Sequence, residues 1–204
     1  MKRLILMTAG VFLIGFGGAM LRLSSLGTDP FTCMNLGISS IIGIPYGTSQ
    51  LLFNLLLMIP MLIWYRKGLG IGTIFNMAAL GYISDFCVSM WGHLGITAPW
   101  FTEHMILRFG FLLAAIPIFC LGVASYMESD LGIAPYDALG QIIEQWTNRR
   151  IRFSTARVIT DVLAVLIGFS AGSVVGIATV ITAFFTGPVV GFFRKKVRLH
   201  TLSV

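Results

Sequence analysis

The stretch Leu131-Gly132-Ile133-Ala134-Pro135-Tyr136-Asp137-Ala138-Leu139 has a counterpart 105 positions earlier, Leu26-Gly27-Thr28-Asp29-Pro30-Phe31-Thr32-Cys33-Met34. Leucine, glycine and proline recur in register, and an aromatic residue follows each proline. Three further pairs follow at offsets of 106 or 107: Gly47-Thr48 with Ser154-Thr155, Asn54 with Asp161, and Gly70-Ile71-Gly72-Thr73 with Gly176-Ile177-Ala178-Thr179. Self-similarity over this length predicts two diverged copies of one structural unit.

The composition predicts the class of protein. The chain is 56% hydrophobic and 11% charged, whereas soluble domains are roughly 45–50% apolar and about 25% charged. The apolar residues form blocks close to the roughly 20 residues that cross a hydrocarbon core as a helix. We therefore expect an integral membrane protein embedded in the lipid bilayer, and no nucleic-acid partner despite the net charge of +6.

The blocks predict an all-α transmembrane fold in a single domain, 1–204. The six expected spans are 5–22, 47–65, 71–91, 106–127, 154–170 and 174–193. They divide into one repeat over about 5–92 and another over about 106–194, with 92–105 expected to be a loop. Residues 1–23 also look like a signal peptide, but they match 107–127 in the repeat, so we expect them to remain as the first span.

The basic residues predict the orientation. Six spans place both termini on one side, and with the termini inside, 12 of the 14 Lys and Arg residues are cytoplasmic. These are Lys2, Arg3, Arg66, Lys67, Arg149, Arg150, Arg152, Arg157, Arg194, Lys195, Lys196 and Arg198. This bias satisfies the positive-inside rule. Because each repeat has three spans, the second enters the membrane inverted, as in many secondary transporters.

Each repeat is expected to have a short helix, begun by a proline, after its first span. Asp29 is predicted to cap the first, with Pro30 at its first position and an end near Ile42, before Gly43. The sequence leaves open whether 30–42 and 135–147 lie in the membrane interface or are re-entrant.

Polar residues inside the spans are the candidate binding residues. Asn54 and Asp161 are equivalent in the repeat. Inserting a carboxylate at such a depth in the membrane costs about 2.5–3.5 kcal/mol unless it is paired or lines a water-filled cavity. Arg157, one turn before Asp161, is the expected partner. Two interpretations stay open: a structural Asp161–Arg157 pair, or symmetric walls of one central site at Asn54 and Asp161.

Other candidates are weaker. Asp137 is expected to stabilise the start of its helix, although the helix starts at Pro30 and Pro135 can also receive an anionic group. Thr73, Asn76 and Thr179 are candidate solute ligands, or cross-helix hydrogen-bonding residues. We expect no enzyme, because enzyme motifs such as HExxH, GxSxG and GxxxxGK[ST] are absent from the sequence. No cofactor or metal site is expected, and the three scattered cysteines are expected to be packing residues.

These motifs resemble the YczE/YyaS/YitT group of bacterial integral membrane proteins. The resemblance rests on Leu-Gly-x-x-Pro-aromatic at 26–31 and 131–136, with Gly27, Pro30, Gly132 and Pro135 as its motif residues, and extends over about 10–195. Thr32 stands where the second copy has Asp137. The resemblance implies a multi-pass protein of a bacterial cytoplasmic membrane and names no substrate.

The architecture favours a small-solute transporter, or a transporter subunit, with its site between the two repeats. It is expected to act as a homo-oligomer or with a partner subunit. Two alternatives remain: a substrate-capturing subunit of an energised transporter, and a non-transporting membrane scaffold.

Overall fold

The structure, a computed structural model, describes the backbone of residues 1–202 and the side chains of all of these except 101, 102, 154, 187, 188 and 198–202. Ser154 of the motif and Arg198 of the charge bias therefore lie outside the described side chains. The described chain is helical: α1 Lys2–Ser24, α2 Pro30–Ile42, α3 Tyr46–Trp64, a 3-10 turn Arg66–Gly68, α4 Ile71–His93, α5 Ala98–Glu103, α6 Met105–Glu128, α7 Pro135–Trp146, α8 Phe153–Ser170 and α9 Ile177–Leu202.

Four of these helices, α1, α3, α4 and α6, are long and apolar enough to cross a membrane. They coincide with the predicted spans 5–22, 47–65, 71–91 and 106–127. A fifth candidate span is the bent pair Ile177–Thr186 and Val189–Val197, whose halves meet at 52°. The sequence at the break is Gly187-Pro188, and a proline removes a helix hydrogen bond. The chain is therefore an all-helical membrane protein with four or five candidate spans.

The last two predicted spans overlap α8 and α9 in position, but α8 is not among the candidate spans found within the described residues. Helix α8 occupies 153–170, within one residue of the predicted 154–170. Helix α9 begins at Ile177, not near 174, and continues well beyond 193. Its start follows the non-helical residues 173–176, and the Gly176 backbone lies against the first Leu-Gly motif.

The short helix α2 forms as predicted. The Asp29 carboxylate accepts a hydrogen bond from the Thr32 amide at 3.1 Å, and Pro30 stands at the first helical position. The helix ends at Gly43, which has φ 76°, a left-handed conformation that glycine adopts without strain.

The segment 92–105 is not the loop that we predicted. It contains α5, Ala98–Glu103. Pro99 lies in the first turn, where a missing amide costs little, and the six-residue helix is too short to leave a periodic apolar pattern.

Helices α1 and α6 pack backbone to backbone at the centre of the fold. A Cβ added at Gly10 would lie 2.6 Å from the Tyr126 amide nitrogen, and one at Gly122 would lie 2.7 Å from the Ile14 nitrogen. The two backbones can approach this closely only because glycines at positions 10 and 122 carry no side chain, a common feature where membrane helices cross closely. Met7, Val11, Phe119 and Tyr126 form a buried cluster at this contact.

Each Leu-Gly motif docks onto the start of a helix from the other half of the chain. The Leu131 carbonyl accepts from the Gly72 amide at 2.8 Å, and the Leu26 carbonyl accepts from the Ala178 amide at 2.9 Å. Gly27 and Gly132 both have positive φ, 102° and 123°. A Cβ at Gly27 would collide with the Thr179 hydroxyl, and one at Gly132 with the Thr73 hydroxyl. We call these two contacts the reciprocal docking contacts.

Candidate functional site

The described part of the fold contains a partly open cavity of about 460 Å³. Residues from eight helices, α1 to α4 and α6 to α9, line it. Many of the lining residues lie 105 to 107 positions apart in the sequence. These pairs are Ile14 with Phe119, Asp29 with Ala134, Thr32 with Asp137, Gln50 with Arg157, Asn54 with Asp161, and Asn76 with Thr182. The two halves therefore contribute matched positions to one cavity.

The starts of the two short helices meet at this cavity. The rings of Phe31 and Tyr136, the aromatic residues that follow the two prolines, are stacked with centroids 4.5 Å apart. Helix α2 continues from this point along α8, where Gly37 is so close to Gly168 that a Cβ would lie 2.8 Å from the Gly168 carbonyl oxygen. Residues 30–35 are buried, whereas 40–43 at the other end are exposed. The helix starts thus lie inside the protein.

Arg157 is the centre of the charged network in the cavity wall. Its guanidinium forms ion pairs with Asp137 and with Asp161, the latter with an N–O distance of 3.4 Å. The guanidinium carbon of Arg157 also lies 4.8 Å from the centre of the Tyr136 ring, within the range of a cation–π interaction. The Tyr136 hydroxyl donates to Asp161 at 2.7 Å. This guanidinium is therefore already committed to two carboxylates and a ring.

Asp137 lies in the first turn of α7 and also pairs with Arg157. Helix α7 has Ala134 at its N-cap and no side-chain capping bond within its described residues. The Asp137 carboxylate accepts from Arg157 instead. An arginine one helix away is a stronger attraction than a helix start, because a full charge exceeds the roughly half charge of the dipole.

Four buried polar atoms of residues that line this cavity have no hydrogen-bond partner among the described residues: Asp29 Oδ2, Gln50 Oε1, Asn54 Oδ1 and the Tyr126 hydroxyl. Asn54 is 1% exposed, Gln50 3% and Tyr126 1%. The Asn54 amide nitrogen donates to the Gln50 carbonyl at 3.0 Å, so its side-chain oxygen must point away from that bond.

Unsatisfied buried polar groups each cost about 1–3 kcal/mol, and proteins seldom retain several in one place without a reason. Together they would destabilise the fold by several kcal/mol if nothing bonded to them. Their shared position on one cavity marks it as the candidate binding site.

Most of the predicted site residues converge on this cavity. Asn54, Asn76, Asp137, Asp161 and Arg157 line it, as does Pro30. Asp161 pairs with Arg157 and also lines the cavity, as does Asn54, so both interpretations stay open.

The remaining predicted residues do not line the described cavity. Pro135 begins α7, and the others lie at the reciprocal docking contacts. The Thr179 hydroxyl accepts from the Thr28 amide at 3.2 Å, and the Thr73 hydroxyl donates to the Gly68 carbonyl at 3.2 Å. Thr73, Thr179, Gly27 and Gly132 thus hold the halves together.

The sequence analysis missed Gln50 and Tyr126 as cavity residues, and treated Asp29 only as a helix cap. Gln50 had a detectable signal, because it precedes Asn54 by one helical turn and therefore lies on the same face. Tyr126 had none, since an aromatic residue in an apolar span is ordinary.

A second ion pair lies outside this cavity. Arg22 donates to Asp85 at 2.8 Å and stacks over the Tyr46 ring at 4.4 Å. Asp85 also accepts from the Gly47 amide at 2.7 Å, at the start of α3. These contacts tie α1, α3 and α4 together at one end.

Residues 1–195 match a protein family described as a family of unknown function, DUF6198. The chain belongs to this family. Among relatives of this DUF6198 member, an uncharacterised protein of Haemophilus influenzae is 29% identical over 196 residues, which cover 94% of this chain and 83% of the relative. The uncharacterised protein YyaS of Bacillus subtilis is 28% identical over 199 residues, covering 95% and 93%.

The uncharacterised membrane protein YczE of Bacillus subtilis is 22% identical over 185 residues, covering 90% of this chain and 81% of YczE. The resemblance inferred from the Leu-Gly-x-x-Pro motifs is thereby confirmed. No solved structure gives a significant match to this DUF6198 chain.

Proposed function

We propose that this DUF6198 protein is a small-solute transporter, or the membrane subunit of one, and that its solute binds in the cavity between the two halves. The observation that carries the proposal is the set of buried polar atoms without partners around that cavity. A scaffold has no use for such atoms, whereas a solute site needs polar groups free to bond its ligand. The protein is proposed to have no enzymatic activity of its own.

The proposal includes six spans arranged as two inverted three-span repeats. Matched positions around the cavity support it, as do the reciprocal docking contacts, in which the motif of each half meets a helix start of the other. Helix packing is also repeated between the halves: α1 packs on α4 as α6 packs on α9, each within one half, and α2 packs on α8 as α7 packs on α3, across the halves. Inverted repeats of this kind surround a site that can open to either side.

In the proposed topology both termini lie in the cytoplasm, in a bacterial inner membrane. Four exposed positions test this: Ser40 and Thr97 are proposed to lie outside, and Lys67 and Arg150 inside. Each is changed to cysteine singly, with wild type as the control because Cys33, Cys87 and Cys120 are buried. A membrane-impermeant maleimide added to intact cells is expected to label only Ser40→Cys and Thr97→Cys. Labelling of Ser40→Cys and Arg150→Cys from the same side would contradict the inverted repeat.

Transport itself is tested without knowing the solute. Asn54→Cys places a thiol in the cavity wall, and a charged, impermeant thiosulfonate is applied to right-side-out and to inside-out vesicles. A transporter that exposes the cavity alternately is expected to react from both sides. Reaction from neither side would refute the proposal, and reaction from only one would favour a capturing subunit.

A direct measurement follows in proteoliposomes, with a panel of labelled amines, amino acids, sugars and carboxylates. Gln50→Ala removes a cavity residue, and Gln145→Ala is the matched control because Gln145 is exposed on α7. Uptake is expected to fall only for Gln50→Ala. Equal uptake by both variants would remove the cavity from the transport path.

A further inference from the structure

We infer that the solute is a small organic cation with a primary ammonium group, and that Asp29, Gln50 and Asn54 bind this group. The inference rests on the proposed function and specifies the chemical class of its solute. It follows from three properties of the cavity: its charge, its hydrogen-bonding capacity and its aromatic wall.

The cavity carries an excess of acidic groups. Asp29, Asp137 and Asp161 line it, against Arg157 and Arg194. Arg194 is already paired with Glu128, to which it donates at 2.8 Å, so Arg157 alone balances the three carboxylates. When all are ionised, two negative charges remain uncompensated. Such a cavity attracts a cation and repels an anion.

Helix starts often bind anions, and two of them meet here, but neither is available. Asp29 already occupies the start of α2, where its Oδ1 accepts from the Thr32 amide. Asp137 lies in the first turn of α7 and is held there by Arg157. A carboxylate or phosphate on the solute would have to displace one of these side chains.

The hydrogen-bonding capacity matches an ammonium group. Three of the atoms without partners are acceptor oxygens: Asp29 Oδ2, Gln50 Oε1 and Asn54 Oδ1. A primary ammonium group has three N–H donors and no acceptor.

The rest of the lining suits an apolar body. Phe31, Phe119, Phe153 and Phe184 line the cavity together with the Tyr136 ring. Aromatic faces attract an ammonium charge and also pack against a hydrocarbon or ring. The Tyr126 hydroxyl, which can donate or accept, is left for a second polar group of the solute.

The first test varies the charge of the ligand on the wild-type protein. The full chain in detergent is melted with three amines, methylammonium, ethanolamine and tyramine, each beside the analogue with a hydroxyl in place of the amine. 4-Hydroxyphenylacetate is the anionic analogue of tyramine. At a hundredfold excess over Kd, an amine that binds is expected to raise Tm by roughly 5–10 °C. The hydroxyl and carboxylate analogues are expected to leave Tm unchanged.

The second test removes one charge from the site. Asparagine caps a helix as well as aspartate does, so Asp29→Asn keeps α2 while it removes the negative charge. The Kd of the best amine is expected to become about ten- to a hundredfold weaker. Asp130→Asn is the matched control, because the side chain of Asp130 is 86% exposed, and it is expected to bind as wild type.

The inference is overturned if no amine binds, if a hydroxyl or carboxylate analogue binds as tightly, or if the two aspartate variants bind alike. Its failure can be distinguished from failure of the transport proposal. Amine binding that depends on Asp29, with Asn54→Cys labelled from one side only, would keep the ammonium site and refute transport. Two-sided labelling with preference for the carboxylate would keep transport and refute the ammonium site.

Discussion

Replacing Gly122 by alanine is expected to separate the two central helices, α1 and α6. The new Cβ would lie 2.7 Å from the Ile14 nitrogen and 2.9 Å from the Gly10 oxygen, whereas ordinary van der Waals contact begins at 3.4 Å. Both obstacles are backbone atoms, so no side chain can rotate away. The helices would have to move apart by roughly 0.7 Å, and a gap of this size forfeits a quarter to a half of the attraction between facing atoms.

The size of the effect can be isolated with a control in the same helix. Overpacking of this kind typically costs about 1–3 kcal/mol, while alanine gains roughly 0.8–1.0 kcal/mol over glycine in helix propensity. At Gly110, also in α6, an added Cβ would meet no atom of the described residues within 4 Å, so Gly110→Ala has the same propensity gain and no clash. At 2–4 °C per kcal/mol for a chain of this size, Gly122→Ala is expected to melt about 2–12 °C below Gly110→Ala.

The assay is thermal unfolding of both purified variants in the same detergent, followed by tryptophan fluorescence. Size-exclusion chromatography before heating checks that each variant is folded. Melting temperatures within 1 °C of each other would refute the backbone contact between α1 and α6. Equal gains in both variants would show that helix propensity, and not packing, governs these positions.

Three further variants test the cavity wall and the docking contacts, each by its Tm. Arg157→Met leaves two carboxylates without their partner and is expected to lower the free energy of unfolding by about 3 kcal/mol. This is the low end for a broken buried ion pair, because the Arg157 side chain is 33% exposed. Arg150→Met, on the surface, is the control and is expected to change Tm little. Tyr136→Phe removes a hydrogen bond to a carboxylate and is expected to cost about 1.5–3 kcal/mol, so an unchanged Tm would count against that bond. Gly27→Ala places a side chain at a positive φ and against the Thr179 hydroxyl, and is expected to lower the free energy of unfolding by about 2 kcal/mol or more. The loss is expected to exceed that of Gly43→Ala, where φ is also positive but no atom lies near the added Cβ.

Local chemistry made α2 predictable. Its start and end depend on three residues that act on their immediate neighbours: Asp29 as the cap, Pro30 at the first position and Gly43 after the end. The apolar blocks that became α1, α3, α4 and α6 were predictable for a similar reason, because the length of a membrane span is set by the bilayer and not by the rest of the fold.

The function of the Leu-Gly motifs was not predictable in the same way. The repeat identified Gly27 and Gly132 as special, but their contacts lie in the opposite half of the chain, and nothing local specifies them. Because polar residues are few inside the spans, Thr73 and Thr179 were predicted to be either solute ligands or cross-helix hydrogen-bonding residues. In the structure each is 2% exposed or less, and both bond the backbone at the docking contacts.

The candidate site was predicted in part. Asn54 and Asp161 emerged from their equivalence in the repeat, and Arg157 from its position one turn away. Asp29 was credited with a cap alone, because a sequence cannot show that one carboxylate oxygen caps a helix while the other faces a cavity. The different surroundings of the two carboxylate oxygens depend on how α2 packs against α8.

The docking contact of the first motif has a consequence for the making of the protein. The Thr28 amide donates to the Thr179 hydroxyl, 151 positions further along the chain, and the Leu26 carbonyl accepts from the Ala178 amide. While the ribosome is still producing the middle helices, this turn has no backbone partner and the chain must close a very long loop to provide one. The first Leu-Gly motif therefore cannot make these contacts until α9 has been synthesised. A chain whose synthesis stops before Gly176 keeps this turn without its partners and accessible to the proteases that remove incomplete membrane proteins.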